Sequence, residues 1–150
     1  MANVVPYAFP VELLTGTHNF SNGGNTFKLA LYTASPYTTA STAYVTTNEV
    51  SSAGGSQYGA GGNTLTGQQL TNINNVATVD FAQTVWGTPT AATFTAAFGA
   101  IYNSTQSDKL VVVLDFGGDK SCSNGTFTIT FPDPTTGTPA GTDAILSITS

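Results

Sequence analysis

Residues 126–131 read TFTITF. Threonines and large apolar residues alternate without a break, and a period of two puts Phe127, Ile129 and Phe131 on one face of an extended strand. A helix would scatter the same side chains around its axis, so the segment is constrained to be a strand with one buried face. Residues 26–33, TFKLALYT, repeat the pattern: Phe27, Leu29 and Leu31 point one way, Lys28, Ala30 and Tyr32 the other. Further strand candidates are NVATVDFA, TFTAAFGAIYN, KLVVVLDF and, near the end, AILSI. They lie at roughly even spacing between segments rich in Gly, Asn and Pro, the pattern of an antiparallel sandwich or barrel.

Little in the chain competes with strand. Charged residues make up 7% of it, against roughly 25% in an ordinary domain. Arginine is absent, glutamate and lysine are nearly so, and with them go the strong helix formers. The expected fold is therefore all-β, an antiparallel β-sandwich of jelly-roll or Ig-like type. A single domain over residues 1–150 fits the length, and no repeat or linker divides it.

Residues 1–20 differ from the rest and are expected to form a short N-terminal helix or arm. PYAFPVELLTGTHNF brings Tyr7, Phe9, Val11, Leu13 and Leu14 close together. Pro10 suits a first helical position and Gly16 a helix end. Two readings stand: a helix that plugs one end of the β core, or an arm that packs on a neighbouring subunit. Residues 35–50 read as a loop at Ser35-Pro36 followed by extended chain. Residues 51–67, SSAGGSQYGAGGNTLTG, read as a long exposed loop or a loosely paired hairpin.

The net charge of −5 and the three scattered lysines, Lys28, Lys109 and Lys120, leave no basic stripe for phosphates, so neither nucleic acid nor an anionic membrane is an expected partner. No apolar run approaches the roughly 18 residues of a membrane span. The start MANVVPYAFP lacks the features of a secretion signal, so the three Asn-x-Ser/Thr triplets carry little weight and synthesis in a cytoplasm is expected. Cys122 is alone and has no partner for an internal disulfide.

Candidate chemistry is thin. Asp115-Phe116-Gly117 matches a kinase metal-binding triplet, but the partner His-Arg-Asp loop needs an arginine that the chain does not have. The alternative is a strand ending at Asp115, a loop at Gly117-Gly118, a turn at Asn124-Gly125 and a return strand, that is, a hairpin. Asp115 and Asp119 are too few for a calcium loop, and one His with one Cys cannot make a zinc site. GAGG lacks the Gly-Lys-Ser/Thr of a phosphate loop. His18 lacks a nucleophile elbow and reads as structural or solvated. Glu12, Glu49 and Asp80 are glycosidase candidates only because acids are scarce. Trp86 and the six tyrosines keep sugar stacking open, although a large aromatic is more often core. No enzyme activity, cofactor or metal is expected.

The order of landmarks resembles a family of small virion structural proteins of tailed bacteriophages. The stretch LLTGTHNFSNGGNTFKLALYT is similar to the family's opening helix and strand, and TAYVTTNEVSS, with Asn48-Glu49-Val50, to its next landmark. Tyr58, Gly61, Gly62 and Leu65 match a Gly-Tyr-x-x-Gly-Gly-x-x-Leu stretch; Asp80-Phe81-Ala82, Trp86, TFTAAFGAIYN and LDFGGDKSCSNGTFTITFP complete the series. The resemblance spans nearly the whole chain and rests on order, since no one motif is specific. It implies a particle component with no catalytic residues to carry over, described in such families as head decoration, cement or minor tail protein. SSAGGSQYGAGG and DPTTGTPAGTD depart from the pattern and are expected to be contact loops. The expected role is a capsid decoration or cement protein at the virion surface, binding the major capsid protein and itself as a homo-oligomer, with a trimer suggested by local threefold sites. The alternative is a tail or fibre part that binds host glycans. Tyr7, Phe9, Leu13, Leu14 and Tyr58 are the expected interaction residues.

Overall fold

The computed structural model describes residues 3–133, 135 and 144–149. In chain order, helix α1 (Ala8–Leu14) is followed by β1 (Phe27–Tyr32), β2 (Asn63–Thr64), β3 (Gln69–Ile73), β4 (Val76–Asp80), β5 (Thr84–Trp86), β6 (Ala92–Asn103), β7 (Lys109–Gly125), β8 (Phe127–Ile129) and β9 (Leu146–Thr149). All pairings between these strands are antiparallel. A four-stranded sheet has the order β2-β1-β6-β7, and two smaller sheets, β3-β4-β9 and β5-β8, complete an all-β, sandwich-like architecture with one short helix near the N-terminus.

The alternation in β1 works as the sequence requires. Phe27, Leu29 and Leu31 enter the main core, shared with Val79 of β4, Trp86 of β5 and Phe127 of β8. Ala30 and Tyr32 face the other way but are buried too, in a second cluster with Tyr37, Tyr102, Leu110 and Val113. This second cluster lies on the other face of β1, β6 and β7, and a loop rather than a second sheet covers it. The Tyr32 hydroxyl donates to the Val45 carbonyl at 2.8 Å, and the Tyr37 hydroxyl, 2.6 Å from it, accepts from the Val45 amide at 3.1 Å. Residues 35–50, expected to be a loop at Ser35-Pro36 and extended chain after it, thus form a tethered loop throughout, with two isolated bridges, Tyr32↔Glu49 and Ala43↔Lys109. Tyrosine hydroxyls here satisfy backbone groups that a strand ladder would otherwise have to pair.

The hairpin expected around Gly117-Gly118 is not formed. β7 continues through these glycines as one strand of 17 residues. Ala96 pairs with Lys120 and Phe98 with Asp115, so residues 116–119 bulge out opposite the single residue Ala97. A bulge uses the same glycines as a turn but bends the strand instead of reversing it. Asn124-Gly125 does end β7, yet the next strand, β8, pairs with β5. That turn therefore moves the chain from one sheet to another. In β8 and just beyond, Phe127 and Phe131 are buried and Ile129 is half-buried, as the TFTITF alternation demands.

The glycine-rich stretch is exposed over residues 51–55 and then dives inward. Gly62 has φ +73°, and a Cβ built there would lie 1.8 Å from the Leu29 carbonyl oxygen. The backbone is pressed against β1, and no other residue fits. Of the second expected contact loop, DPTTGTPAGTD, all but Asp133 and Thr135 lies outside the described residues.

Candidate functional site

Helix α1 is only seven residues long; it begins at Ala8, two residues before the start that Pro10 suggests, and ends where Gly16 predicts. Pro10 sits in the first turn, where its missing N–H has no intrahelical acceptor to lose. At the other end Gly16 adopts φ +73°, its amide donates to the Leu13 carbonyl at 3.1 Å, and the Thr17 amide donates to the Glu12 carbonyl at 2.9 Å. This is the left-handed glycine stop that the sequence announces.

The helix departs from the usual surface pattern in two respects: its one charge is buried, and apolar side chains stand outward as well as inward. Phe9 and Glu12 are buried, and Leu13 packs against the main core. Tyr7, Val11 and Leu14 fall at spacings of four and three, on the opposite side, and are 74%, 62% and 89% exposed. The one charged side chain of the helix thus points inward while three large apolar ones meet solvent. An amphipathic helix does the opposite. On the side of Phe9 and Leu13, an apolar groove of about 520 Å³ runs between α1 and the β3-β4-β9 sheet, lined among others by Val5, Leu13, Leu70, Val79 and Ile148. Val5, Leu70 and Ile148 are themselves more than two-fifths exposed, at 44%, 55% and 57%.

Beneath the helix, Glu12 joins a buried polar cluster. Its carboxylate pairs with the Lys109 ammonium through Oε1 and with His18 Nε2 through Oε2 at 3.0 Å. The other ring nitrogen, Nδ1, lies 3.0 Å from the Asn103 side-chain amide. Phe9, Phe20 and Phe27 surround the imidazole at centroid distances of 5.2, 6.1 and 6.5 Å. Burial lowers the proton affinity of His18, and Lys109 adds to this, against the opposing pull of Glu12. Burial also works to raise the Glu12 pKa, but Lys109 and His18 outweigh it and hold the carboxyl below its ordinary value. With both ring nitrogens engaged, His18 ties α1 to β6, while Glu12 itself ties α1 to Lys109 of β7.

The other glycosidase candidates have separate surroundings. Glu49 accepts from the hydroxyls of Tyr44 and Tyr58 and from the Gly61 amide, at 2.6, 2.7 and 2.7 Å. It is a clasp for the glycine-rich stretch. Asp80 is pushed upward in pKa chiefly by burial. Asp115 precedes the β7 bulge and Asp119 is its last residue, and no group of three or more His, Cys, Asp or Glu able to hold a metal occurs among the described residues.

The structure divides the expected interaction residues. Tyr7 and Leu14 are exposed, and Leu13 lines the groove. Phe9 and Tyr58, at 5% and 3% exposure, face inward instead. Phe9 anchors α1 in the chain's own core, and Tyr58 bridges the Leu31 amide and Glu49. The N-terminal segment packs on its own body, with Val4 bridged to Val113 on the edge of β7. Val11, Leu70 and Ile148 were not singled out as interaction residues. A helical period applied to residues 7–14 separates Tyr7, Val11 and Leu14 from Phe9 and Leu13, and would have found Val11. Leu70 and Ile148 reach the groove only through the sheet pairing of β3 and β9 with β4. No protein-family model matches the chain, and no curated protein or solved structure matches it.

Proposed function

We propose that this chain is a structural subunit of a tailed-bacteriophage virion, a capsid decoration or cement protein whose α1 face docks on the major capsid protein. The observation that carries this reading is the pattern at α1: Tyr7, Val11 and Leu14 outward and Glu12 inward. Exposed apolar groups gathered in one patch mark an interaction site. The charge-poor surface suits a protein pressed against many neighbours, and the order of sequence landmarks supports a virion component.

Magnitudes add a further argument. Covering a large apolar side chain contributes about 1.5–3 kcal/mol, so Tyr7 at the helix cap with Val11 and Leu14 on α1 together contribute about 5–9 kcal/mol. Association itself costs roughly 4–15 kcal/mol in lost freedom. One copy held by this stripe alone would bind weakly. Several linked copies on a repeating lattice would bind firmly by raising the effective concentration of each next contact. This supports a homo-oligomer, and a trimer fits a local threefold site.

The glycan-binding alternative has one exposed ring among Trp86 and the tyrosines, Tyr7. A sugar platform needs exposed rings on one face, but Trp86, Tyr32, Tyr37, Tyr58 and Tyr102 are all buried, and Tyr44 is half-buried against Tyr102. The test is to mix the purified chain with capsids lacking it and sediment them. A fixed saturating copy number per capsomer and a shell more resistant to heat are expected; no pelleted chain at any concentration would overturn the reading.

A further inference from the structure

The hydrogen bonds around His18 fix its protonation state. The Thr105 amide donates to Asn103 Oδ1 at 3.1 Å, and a backbone N–H can only donate, so Oδ1 of Asn103 faces Thr105. The Asn19 amide likewise donates to Asn25 Oδ1 at 2.8 Å. The Asn103 NH₂ then donates both to Asn25 Oδ1, at 2.9 Å, and to His18 Nδ1, at 3.0 Å. Nδ1 must therefore be an acceptor without a proton, and the ring proton sits on Nε2, donating to the Glu12 carboxylate.

A second proton has no place in this arrangement. Placed on Nδ1, it would point at the NH₂ of Asn103. Turning that amide over would set Oδ1 against Asn25 Oδ1 and leave the Thr105 amide facing an NH₂. Asn103 is completely buried, so water cannot take over these bonds. We propose that His18 is a proton-operated latch: as the neutral ring it holds α1 on the sheet, and protonation at Nδ1 releases the helix and with it the outward apolar stripe.

The groups facing the ring, element by element, set the direction. Glu12 comes from α1 and favours the charged ring. Lys109 from β7 opposes it through the same carboxylate. Phe27 of β1, Asn103 of β6, Asn25, Phe20 and Phe9 bring no charge, and the groove side presents Leu70, Val79, Leu146 and Ile148. A buried neutral histidine has a lower proton affinity folded than unfolded. Its contribution is complete above the ordinary value of about 6.5 and is lost as pH falls below it toward the folded value.

His18 is the chain's only histidine, so its ring resonances need no assignment. Nitrogen-detected NMR at pH 7.5 should show the Nε2–H tautomer. Amide exchange of Thr15, Gly16 and Thr17, whose N–H groups close the end of α1, is read across pH 7 to 5. Their protection should drop by about tenfold per pH unit below 6.5 until the folded value is reached, with β6 unchanged. His18→Gln should abolish that dependence. An Nδ1–H tautomer, flat protection of the three amides, or an undiminished drop in His18→Gln would each overturn the latch. If His18→Gln does not fold, the wild-type titration decides alone.

Discussion

Tyr58→Phe removes one oxygen, and the structure indicates what that oxygen does. β2 pairs with β1 only at Lys28 and Leu29, so the ladder has stopped by the time β1 reaches Leu31. There the Leu31 amide donates to the Tyr58 hydroxyl at 3.0 Å, while the Leu31 carbonyl accepts from the Val50 amide at 2.9 Å. A side chain and a loop stand in for the missing strand. The same hydroxyl donates to Glu49, and burial followed by that carboxylate keeps its proton in place by pushing the phenol upward. In the variant a completely buried strand loses an amide partner, which costs about 1–3 kcal/mol. Glu49 keeps Tyr44 and Gly61 and is half-exposed, so its lost bond adds only about 0.5–1 kcal/mol. The total is about 2–4 kcal/mol, or roughly 5–15 °C in Tm for a chain of this size. Urea unfolding of Tyr58→Phe beside Tyr44→Phe measures it. Tyr44→Phe loses one bond to the same carboxylate and strands no amide, so it should cost less than half as much. A Tyr58→Phe protein within about 0.5 kcal/mol of wild type would refute the claim that this hydroxyl completes the sheet.

Gly62→Ala should abolish stable folding or lower stability by more than about 3 kcal/mol, because steric overlap with the Leu29 carbonyl adds to the strain of positive φ; thermal melting checks it. Val11→Ser with Leu14→Ser should leave unfolding within about 1 kcal/mol of wild type, since neither side chain is buried in the free chain. Acid titration of stability should show two steps. Both His18 and Glu12 have lowered folded values, so each contributes above its unfolded pKa and loses that contribution as pH falls, His18 from about 6.5 and Glu12 from about 4.5. A stability that rises on acidification through either window would contradict the sign.

Strands that carry alternation or an apolar run were legible in the sequence. β1, β4, β6, β8 and β9 all lie within segments picked out by alternation or apolar runs. β3 was not, because four of its five residues are exposed and an edge strand of that kind carries no period. β5 is three residues long, too short to show one. The β7 bulge was misread because glycine permits a turn and a bulge equally, and the choice depends on β6 lying opposite. Tyr58 lies in SSAGGSQYGAGG, a stretch expected to be a contact loop; its inward turn depends on a β1 amide that no strand pairs, about which local sequence says nothing. The helix was legible, including its glycine stop. Its outward apolar face was also present in the spacing of Tyr7, Val11 and Leu14, but Glu12 reads as the solvent side until Lys109 and His18 are seen to meet it.

The central claim is that the outward face of α1 docks on a capsid shell. Its most direct test is sedimentation of capsids lacking the protein with the wild-type chain and with Val11→Asp/Leu14→Asp, both first shown to be folded by circular dichroism. The account predicts saturable binding of wild type at a fixed copy number per capsomer and loss of binding in the variant. Equal binding of the two, or none by wild type, would contradict it.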